Sequence, residues 1–109
     1  MQNAVAVEDR VFRALADPSR RAIFESLTRG EAAVKELTAR FEISQPAVSQ
    51  HLATLKEAGL VANRRVGRCV YYRVEPRGLK PLIDWIAHYR AFWTEHLDRL
   101  ERLLEKMEP

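Results

Sequence analysis

A row of small polar side chains between residues 44 and 51 carries the clearest chemistry in the chain. It comprises Ser44, Gln45, Ser49, Gln50 and His51. A glutamine amide donates and accepts hydrogen bonds together, which suits the paired groups on the edge of adenine, and a serine hydroxyl reaches either a base or a phosphate. If these side chains share an exposed face, the segment predicts binding to DNA. His51 lies beside that face, so a local hydrogen bond and a phosphate contact both remain open for it.

A helix would place the polar side chains together, and the neighbouring apolar residues have helical spacing. Val48, Leu52 and Leu55 recur every three or four positions. When these three face inward, the 100° step per residue puts Gln50 on the opposite side, flanked by Ser49. A merely solvated helix would more often carry Lys and Glu on that outer face.

Helix signals on both sides of residue 44 indicate a helix-turn-helix. Ser44 suits an N-cap and Pro46 suits a first turn, so we expect a recognition helix over about residues 45–58. A preceding helix near residues 32–41 has apolar positions at the same spacing, namely Val34, Leu37 and Phe41. In such a motif the second helix enters the major groove of DNA.

Two more helices are expected before this motif. The first lies near residues 8–16, where Val11, Phe12 and Leu15 fall on one side. Asp17-Pro18 then begins the second helix, because Asp caps free N–H groups and Pro suits the first turn. Gly30 is the residue type that ends a helix most readily.

The segment after Gly59 predicts a basic β-hairpin. Two β-favouring runs, residues 60–65 and 69–75, are separated by Val66-Gly67-Arg68. Arg64, Arg65 and Arg68 make its tip basic. Beside a recognition helix, such a wing could bind the phosphate backbone or enter the minor groove, whereas the alternative interpretation is a solvated surface hairpin. Tyr71 and Tyr72 point to opposite faces, so one should pack inward.

The C-terminal segment, about residues 79–107, predicts a long dimerisation helix. Its apolar residues follow mostly alternating three- and four-residue steps, the spacing of a helix-packing seam: Leu82, Ile86, Tyr89, Trp93, Leu97, Leu100, Leu104 and Met107. A chain this small cannot cover so long a seam by itself. We therefore expect a homodimer in which the seam contacts its two-fold mate and the first helix.

Length and composition indicate one domain, residues 1–109, that is mainly α-helical with a small β-hairpin. The chain has 109 residues, 47% of them hydrophobic, and a formal charge of +3. No stretch reaches the roughly 18 apolar residues of a membrane span, and the N-terminus lacks the pattern of a secretion signal. Cys69 is the sole cysteine. A cytoplasmic protein is expected, with no membrane partner.

Enzyme chemistry is not predicted, because the chain lacks a nucleophile paired with a base, paired inward acids and a phosphate-cradling glycine loop. No cofactor is expected either. A winged helix can also bind proteins instead of DNA, so a protein-interaction module is the alternative from another class.

Four ordered blocks of sequence carry a family resemblance. They are Phe12-Arg-Ala-Leu-Ala-Asp-Pro-Ser-Arg-Arg-Ala-Ile23, Ser44-Gln-Pro-Ala-Val-Ser-Gln-His-Leu52, Leu55-Lys-Glu-Ala-Gly-Leu-Val61, and Gly67-Arg68 with Tyr71-Tyr72-Arg73. Over about residues 8–75 the chain resembles the ArsR-type (arsenical-resistance repressor) family of bacterial winged helix-turn-helix regulators. The resemblance implies a homodimer whose fourth helix and wing bind double-stranded DNA, usually to repress transcription until an effector releases it. The effector is not specified by the sequence.

Two departures limit what the resemblance implies. Many members have Gly where this chain has Glu42, so either a left-handed residue there costs about 1 kcal/mol or the turn differs. The thiolate site of metal-sensing members needs cysteines in the third helix, and residues 31–37 contain none.

A metal-responsive repressor using Asp84, His88 and His96 is a further alternative. The family's C-terminal metal site begins Asp-x-His, whereas this chain has Asp84-x-x-x-His88. Asp84, His88 and Glu95 project almost opposite the seam, so we expect no metal site. The segment from Trp85 to Trp93 also resembles a non-metal-sensing subgroup.

Overall fold

The structure, a computed structural model, describes the backbone of residues 2–107 and the side chains of residues 9–107. Helices dominate, and three short strands form a small antiparallel sheet: one precedes the third helix, and the other two lie between the fourth and fifth helices. The helices are α1 (Gln2–Ala16), α2 (Pro18–Leu27), α3 (Val34–Phe41), α4 (Gln45–Glu57) and α5 (Lys80–Met107). The strands are β1 (Ala32–Ala33), β2 (Val61–Val66) and β3 (Cys69–Val74), and a 3-10 helix spans Pro76–Leu79.

The junction between α1 and α2 is closed by hydrogen bonds. The Asp17 carboxylate accepts from the Arg20 backbone N–H at 2.8 Å, as expected of an N-cap. The Arg20 side chain donates to the Ala14 carbonyl oxygen at 2.7 Å, and Arg21 donates to that of Leu15 at 2.7 Å. These two arginines satisfy carbonyls that the end of α1 leaves unpaired. Helix α1 itself begins at Gln2, earlier than the expected start near residue 8.

Helix α3 begins at Val34, two residues later than expected, because the two preceding alanines form β1. Ala32 pairs with Tyr72 and Ala33 with Tyr71, so β3 is the central strand of a sheet with order β1-β3-β2. The β2–β3 hairpin is predicted by the sequence, whereas β1 is not. Two alanines carry no strand periodicity, and their pairing depends on a neighbour distant in sequence.

The turn between α3 and α4 contains Glu42, for which the sequence left open either a left-handed conformation or a different turn. Glu42 has φ 54° and ψ 38°, the left-handed conformation, and its N–H donates to the Thr38 carbonyl oxygen at 3.0 Å. It is the single non-glycine residue with positive φ in the described range. The turn therefore keeps its left-handed geometry without the glycine that would fit it best.

One apolar cluster joins the first four helices to the sheet. Its fully or nearly buried members are Val11, Ala14, Ile23, Phe24, Leu27, Ala32, Leu37, Val48, Leu52, Leu55, Leu60 and Val61. The inward orientation predicted for the apolar row of α4 is confirmed. This cluster fixes the rotation of α4, and thereby the direction of its polar face.

The wing, which we define as β2, β3 and their two-residue loop Gly67-Arg68, follows α4. Gly67 has φ 62°, and a glycine at the first central position is typical of a type II′ hairpin turn. The register pairs Arg64 with Tyr71 and Arg65 with Val70. Tyr72 packs against the core and Tyr71 lies on the other face of the sheet, as predicted, but Tyr71 is half-buried and not exposed.

Helix α5 extends away from the core, and the 3-10 helix before it lies close to the backbone at the end of α4. A Cβ on Gly78 of the 3-10 helix would lie 1.8 Å from the carbonyl oxygen of Gly59, just beyond α4. Leu82 still packs on the core, whereas residues 83–107 are all exposed. None of the described helices combines the length and apolar character that crossing a membrane requires.

Candidate nucleic-acid interface

The outer face of α4 presents polar side chains that are free to bind a ligand. The Ser44 hydroxyl accepts from the Ala47 N–H at 3.2 Å and so caps the helix. Gln45, Ser49 and Gln50 are exposed, and in the described part of the chain their side chains make no hydrogen bond. Because the opposite face of α4 is fully buried, the helix cannot rotate about its own axis, and these polar groups stay directed outward.

His51 has a different environment from its neighbours. It is half-buried, and its Nδ1 atom is buried without a hydrogen-bond partner among the described residues. The pKa of Asp17 is lowered, mainly by the hydrogen bond from the Arg20 N–H and further by the nearby charge of His51. His51 is therefore less open to solvent than Ser49 and Gln50, and it lies at the edge of the polar face.

The three wing arginines do not form one group. Because side chains alternate across a strand, Arg64 and Arg65 lie on opposite faces of the hairpin. Arg65 and Arg68 are exposed and have no ion pair with any described side chain. Both are therefore available to phosphate.

Arg64, by contrast, is already engaged within the protein. Its Nε donates to Glu31 Oε2 at 3.0 Å, and its Nη2 donates to Glu31 Oε1. The guanidinium carbon also lies 5.7 Å from the centre of the Tyr71 ring. The Arg64 hydrogen bond lowers the pKa of the Glu31 carboxyl, and the same bond raises the pKa of Arg64.

Glu31 and Tyr71 were missed as neighbours of the wing arginines. Glu31 is 33 residues from Arg64 in sequence, and no local pattern predicts such a contact. The cross-strand position of Tyr71 was accessible in principle, because the two-residue loop fixes the register of the hairpin.

The apolar face of α5 includes the predicted seam. Leu97 is 60% exposed, and Trp93 and Leu100 are each 50% exposed. Further exposed apolar side chains widen the face beyond that seam: Ile83, Trp85, Phe92 and Leu103. Near the start of the helix, Trp85 meets Phe12 of α1 edge to face, with ring centres 5.5 Å apart.

Comparison with known proteins identifies the family. The sequence profile described as "Bacterial regulatory protein, arsR family" matches residues 17–63. The HTH-type transcriptional regulator Rv2034 of Mycobacterium tuberculosis is 43% identical over 97 residues, covering 89% of this chain and 88% of the relative. The chain belongs to the ArsR family.

Two further comparisons agree with that assignment. The transcriptional repressor SdpR of Bacillus subtilis is 33% identical over 81 residues, or 74% of this chain and 90% of the repressor. An ArsR-like transcriptional regulator from Rhodococcus sp. RHA1 superimposes with a TM-score of 0.75 at 29% identity, covering 93% of this chain and 95% of that structure. This ArsR-family protein is a DNA-binding transcriptional regulator with the winged helix-turn-helix fold, and it is not an enzyme.

The metal-ligand candidates of this ArsR-family chain each contact a local partner. Asp84 accepts from Lys80 at 2.9 Å, and Glu95 accepts from Arg99 at 2.8 Å. His96 Nδ1 donates to the Phe92 carbonyl oxygen at 2.9 Å, and His88 meets the Tyr89 ring edge to face. Within the described residues, no three His, Cys, Asp or Glu side chains come together as a metal site. Control without a metal stays a prediction.

Proposed function

We propose that the protein is a homodimeric repressor that binds an imperfect palindromic operator. The observation that carries this proposal is the exposed, uncommitted polar face of α4 on a helix whose other face is buried. In the proposed complex Gln50 and Ser49 contact base edges in the major groove. Since its partner is chromosomal DNA, we place the protein in the cytoplasm.

The start of α4 and the wing are proposed to hold phosphates on either side of the bases that are read. Ser44 and Gln45 lie at the helix N-terminus, where backbone N–H groups and the helix dipole favour an anion. Arg65 and Arg68 add positive charge from the wing. We include His51 as a contact at the edge of α4, through the ring nitrogen that is not buried.

The exposed apolar face of α5 is proposed as the dimer interface. Its predicted members are Leu82, Ile86, Tyr89, Trp93, Leu97, Leu100 and Leu104, and all but Leu82 are exposed in the isolated chain. An apolar face running most of the length of a 28-residue helix is typical of a surface that another protein covers. Two copies related by a two-fold axis would present two recognition helices to major-groove faces about 34 Å apart.

Substitution of Gln50 tests the base-reading role. The preferred operator is first selected from a random DNA library with the wild-type protein. Gln50→Ala should then weaken binding to that operator by about 1–3 kcal/mol and weaken binding to random DNA far less, if the amide makes a bidentate base contact.

Gln45→Ala is the matched control, because it removes the same amide from the phosphate-facing start of the helix. It should weaken binding to both DNAs alike. Equal losses for Gln50→Ala on both DNAs would show that Gln50 does not read sequence. If the library yields no preferred sequence at all, the proposed operator binding is wrong and protein binding by the fold becomes the better hypothesis.

A further inference from the structure

The outer face of the sheet carries a small charged cluster that the DNA-binding proposal does not use. In the hairpin, Arg64 stands directly opposite Tyr71, and Arg73 lies two residues further along the same face. In β1, Ala33 is paired with Tyr71, so alternation places Glu31 on this face as well. Glu31 therefore meets the wing from the far side of the central strand.

The hydrogen bonds in this cluster join two parts of the fold that are distant in sequence. Glu31 precedes β1 and the helix-turn-helix, whereas Arg64 lies in the half of β2 nearer the hairpin tip. Two parallel bonds between a guanidinium and a carboxylate fix orientation as well as distance. The Tyr71 ring lies on the same face of the sheet, 5.7 Å from the guanidinium carbon, and adds a cation–π contact to Arg64.

We propose that Arg64 is a positioning residue, which holds the wing against the helix-turn-helix through Glu31 and leaves phosphate binding to Arg65 and Arg68. This inference rests on the proposed role of the wing in DNA binding. Apart from the ion pair, the wing is joined to the segment before α3 by the two β1–β3 residue pairs and by core packing of Val61, Tyr72 and Val74 on the opposite face of the sheet. The ion pair adds a connection closer to the tip, where a small rotation displaces Arg68 most.

Charge also distinguishes the positioning role of Arg64 from the phosphate-binding role of Arg65 and Arg68. The carboxylate of Glu31 offsets the charge of Arg64 and occupies its Nε and one Nη2 hydrogen, so a phosphate would have to share the guanidinium with Glu31 or displace it. Arg65 and Arg68 carry no such penalty. The salt dependence of DNA binding measures the difference, because each phosphate contact contributes about 0.9 to the slope of log affinity against log salt.

The experiment compares Arg64→Gln, Glu31→Gln and Arg68→Gln as full-length dimers on one DNA over a range of salt concentrations. Arg68→Gln should flatten the slope by about 0.9 for each protomer. Arg64→Gln and Glu31→Gln should each leave the slope unchanged and weaken binding by about two- to fivefold, the range of an ion pair at the surface. The charge exchange of Glu31→Arg with Arg64→Glu should recover part of that loss.

Arg64→Lys distinguishes positioning from direct contact. A lysine keeps a point charge for phosphate but lacks the planar fork that binds a carboxylate at two points. We expect it to behave like Arg64→Gln. A flattened slope with Arg64→Gln, together with tighter binding by Glu31→Gln, would instead show that Arg64 contacts phosphate and that Glu31 competes with it.

Amide hydrogen exchange tests the same inference without DNA, so it stays informative if the DNA-binding proposal fails. Arg64→Gln and Glu31→Gln should both speed exchange in the β2–β3 amides near the tip by about two- to fivefold. Arg68→Gln should leave those rates unchanged. Unchanged rates in both ion-pair variants would overturn the positioning role.

Discussion

Glu42 shows how one residue can be at odds with the local geometry that the fold requires. A left-handed conformation costs a residue with a Cβ roughly 1–2 kcal/mol, whereas glycine adopts it freely. The conformation persists because buried residues on both sides, Leu37 in α3 and Val48 in α4, fix the angle between the two helices. The strain at Glu42 is thus offset by packing elsewhere in the motif.

Replacing Glu42 with glycine should therefore stabilise the protein. We expect the free energy of unfolding to rise by about 0.5–1 kcal/mol, since relief of the left-handed strain exceeds the added chain entropy of glycine. Urea unfolding at a fixed protein concentration measures the change. Glu42→Ala is the control, because it removes the carboxylate and keeps the Cβ. Equal stabilisation by both variants would assign the effect to charge.

At the scale of elements, the sequence predicted those parts that carry their own local signals. Asp17-Pro18 and Ser44 mark helix starts with caps that the structure confirms, and the apolar row of α4 has a period that fixes its buried face. Gly67 likewise indicated the hairpin turn, although the loop has two residues, because Val66 belongs to β2 and not to the three-residue loop that the sequence predicted. In each case the information lies within a few residues along the chain.

The parts that were missed depend on partners distant in sequence. Strand β1 forms because it pairs with β3. Arg64 and Arg65 lie on opposite faces of the pleated strand, and Arg64 forms an ion pair with Glu31 across the sheet. A count of basic residues at the hairpin tip could not show that Arg64 is paired with a carboxylate while Arg65 is not. The exposed polar set on α4 was easier to predict, because helical periodicity alone separates the exposed and buried faces of that helix.

The contact between Gly78 and Gly59 gives a prediction at the same scale. Gly78→Ala should lower the free energy of unfolding by about 1–3 kcal/mol, because its Cβ would overlap backbone atoms that cannot rotate away. Chemical denaturation at a fixed protein concentration measures this. The neighbouring, exposed Arg77→Ala is the matched control and should change stability by less than about 0.5 kcal/mol. A stable Gly78→Ala variant would mean that the two segments separate without penalty.

At the scale of the whole molecule, the isolated chain leaves its longest helix largely uncovered. The described residues extend over 61 × 41 × 20 Å, an elongated shape for a chain of 109 residues. Most of the core lies among the first four helices and the sheet, while α5 projects from it. A second subunit would supply the apolar contacts that α5 lacks.

A charge introduced on the apolar face of α5 should therefore separate the subunits. We expect the wild-type protein to sediment as a dimer at micromolar concentration and Leu100→Glu to sediment as a monomer, because dimerisation would bury the new carboxylate without a partner. Arg102→Glu introduces the same charge outside the predicted seam and should remain dimeric. A wild-type protein that sediments as a monomer at this concentration would contradict the proposed assembly.

The close approach of Gly78 to Gly59 also has a mechanical consequence. It fixes the start of α5 beside the end of α4, and the helix then extends about 42 Å, since its 28 residues each rise about 1.5 Å. A tilt of α5 by about 5° about this fixed end would move its far end by about 4 Å, but would move its first turns, where Trp85 contacts Phe12 of α1, by less than about 1 Å. The far end of α5 can therefore shift to fit a partner while the end beside α4 stays almost in place.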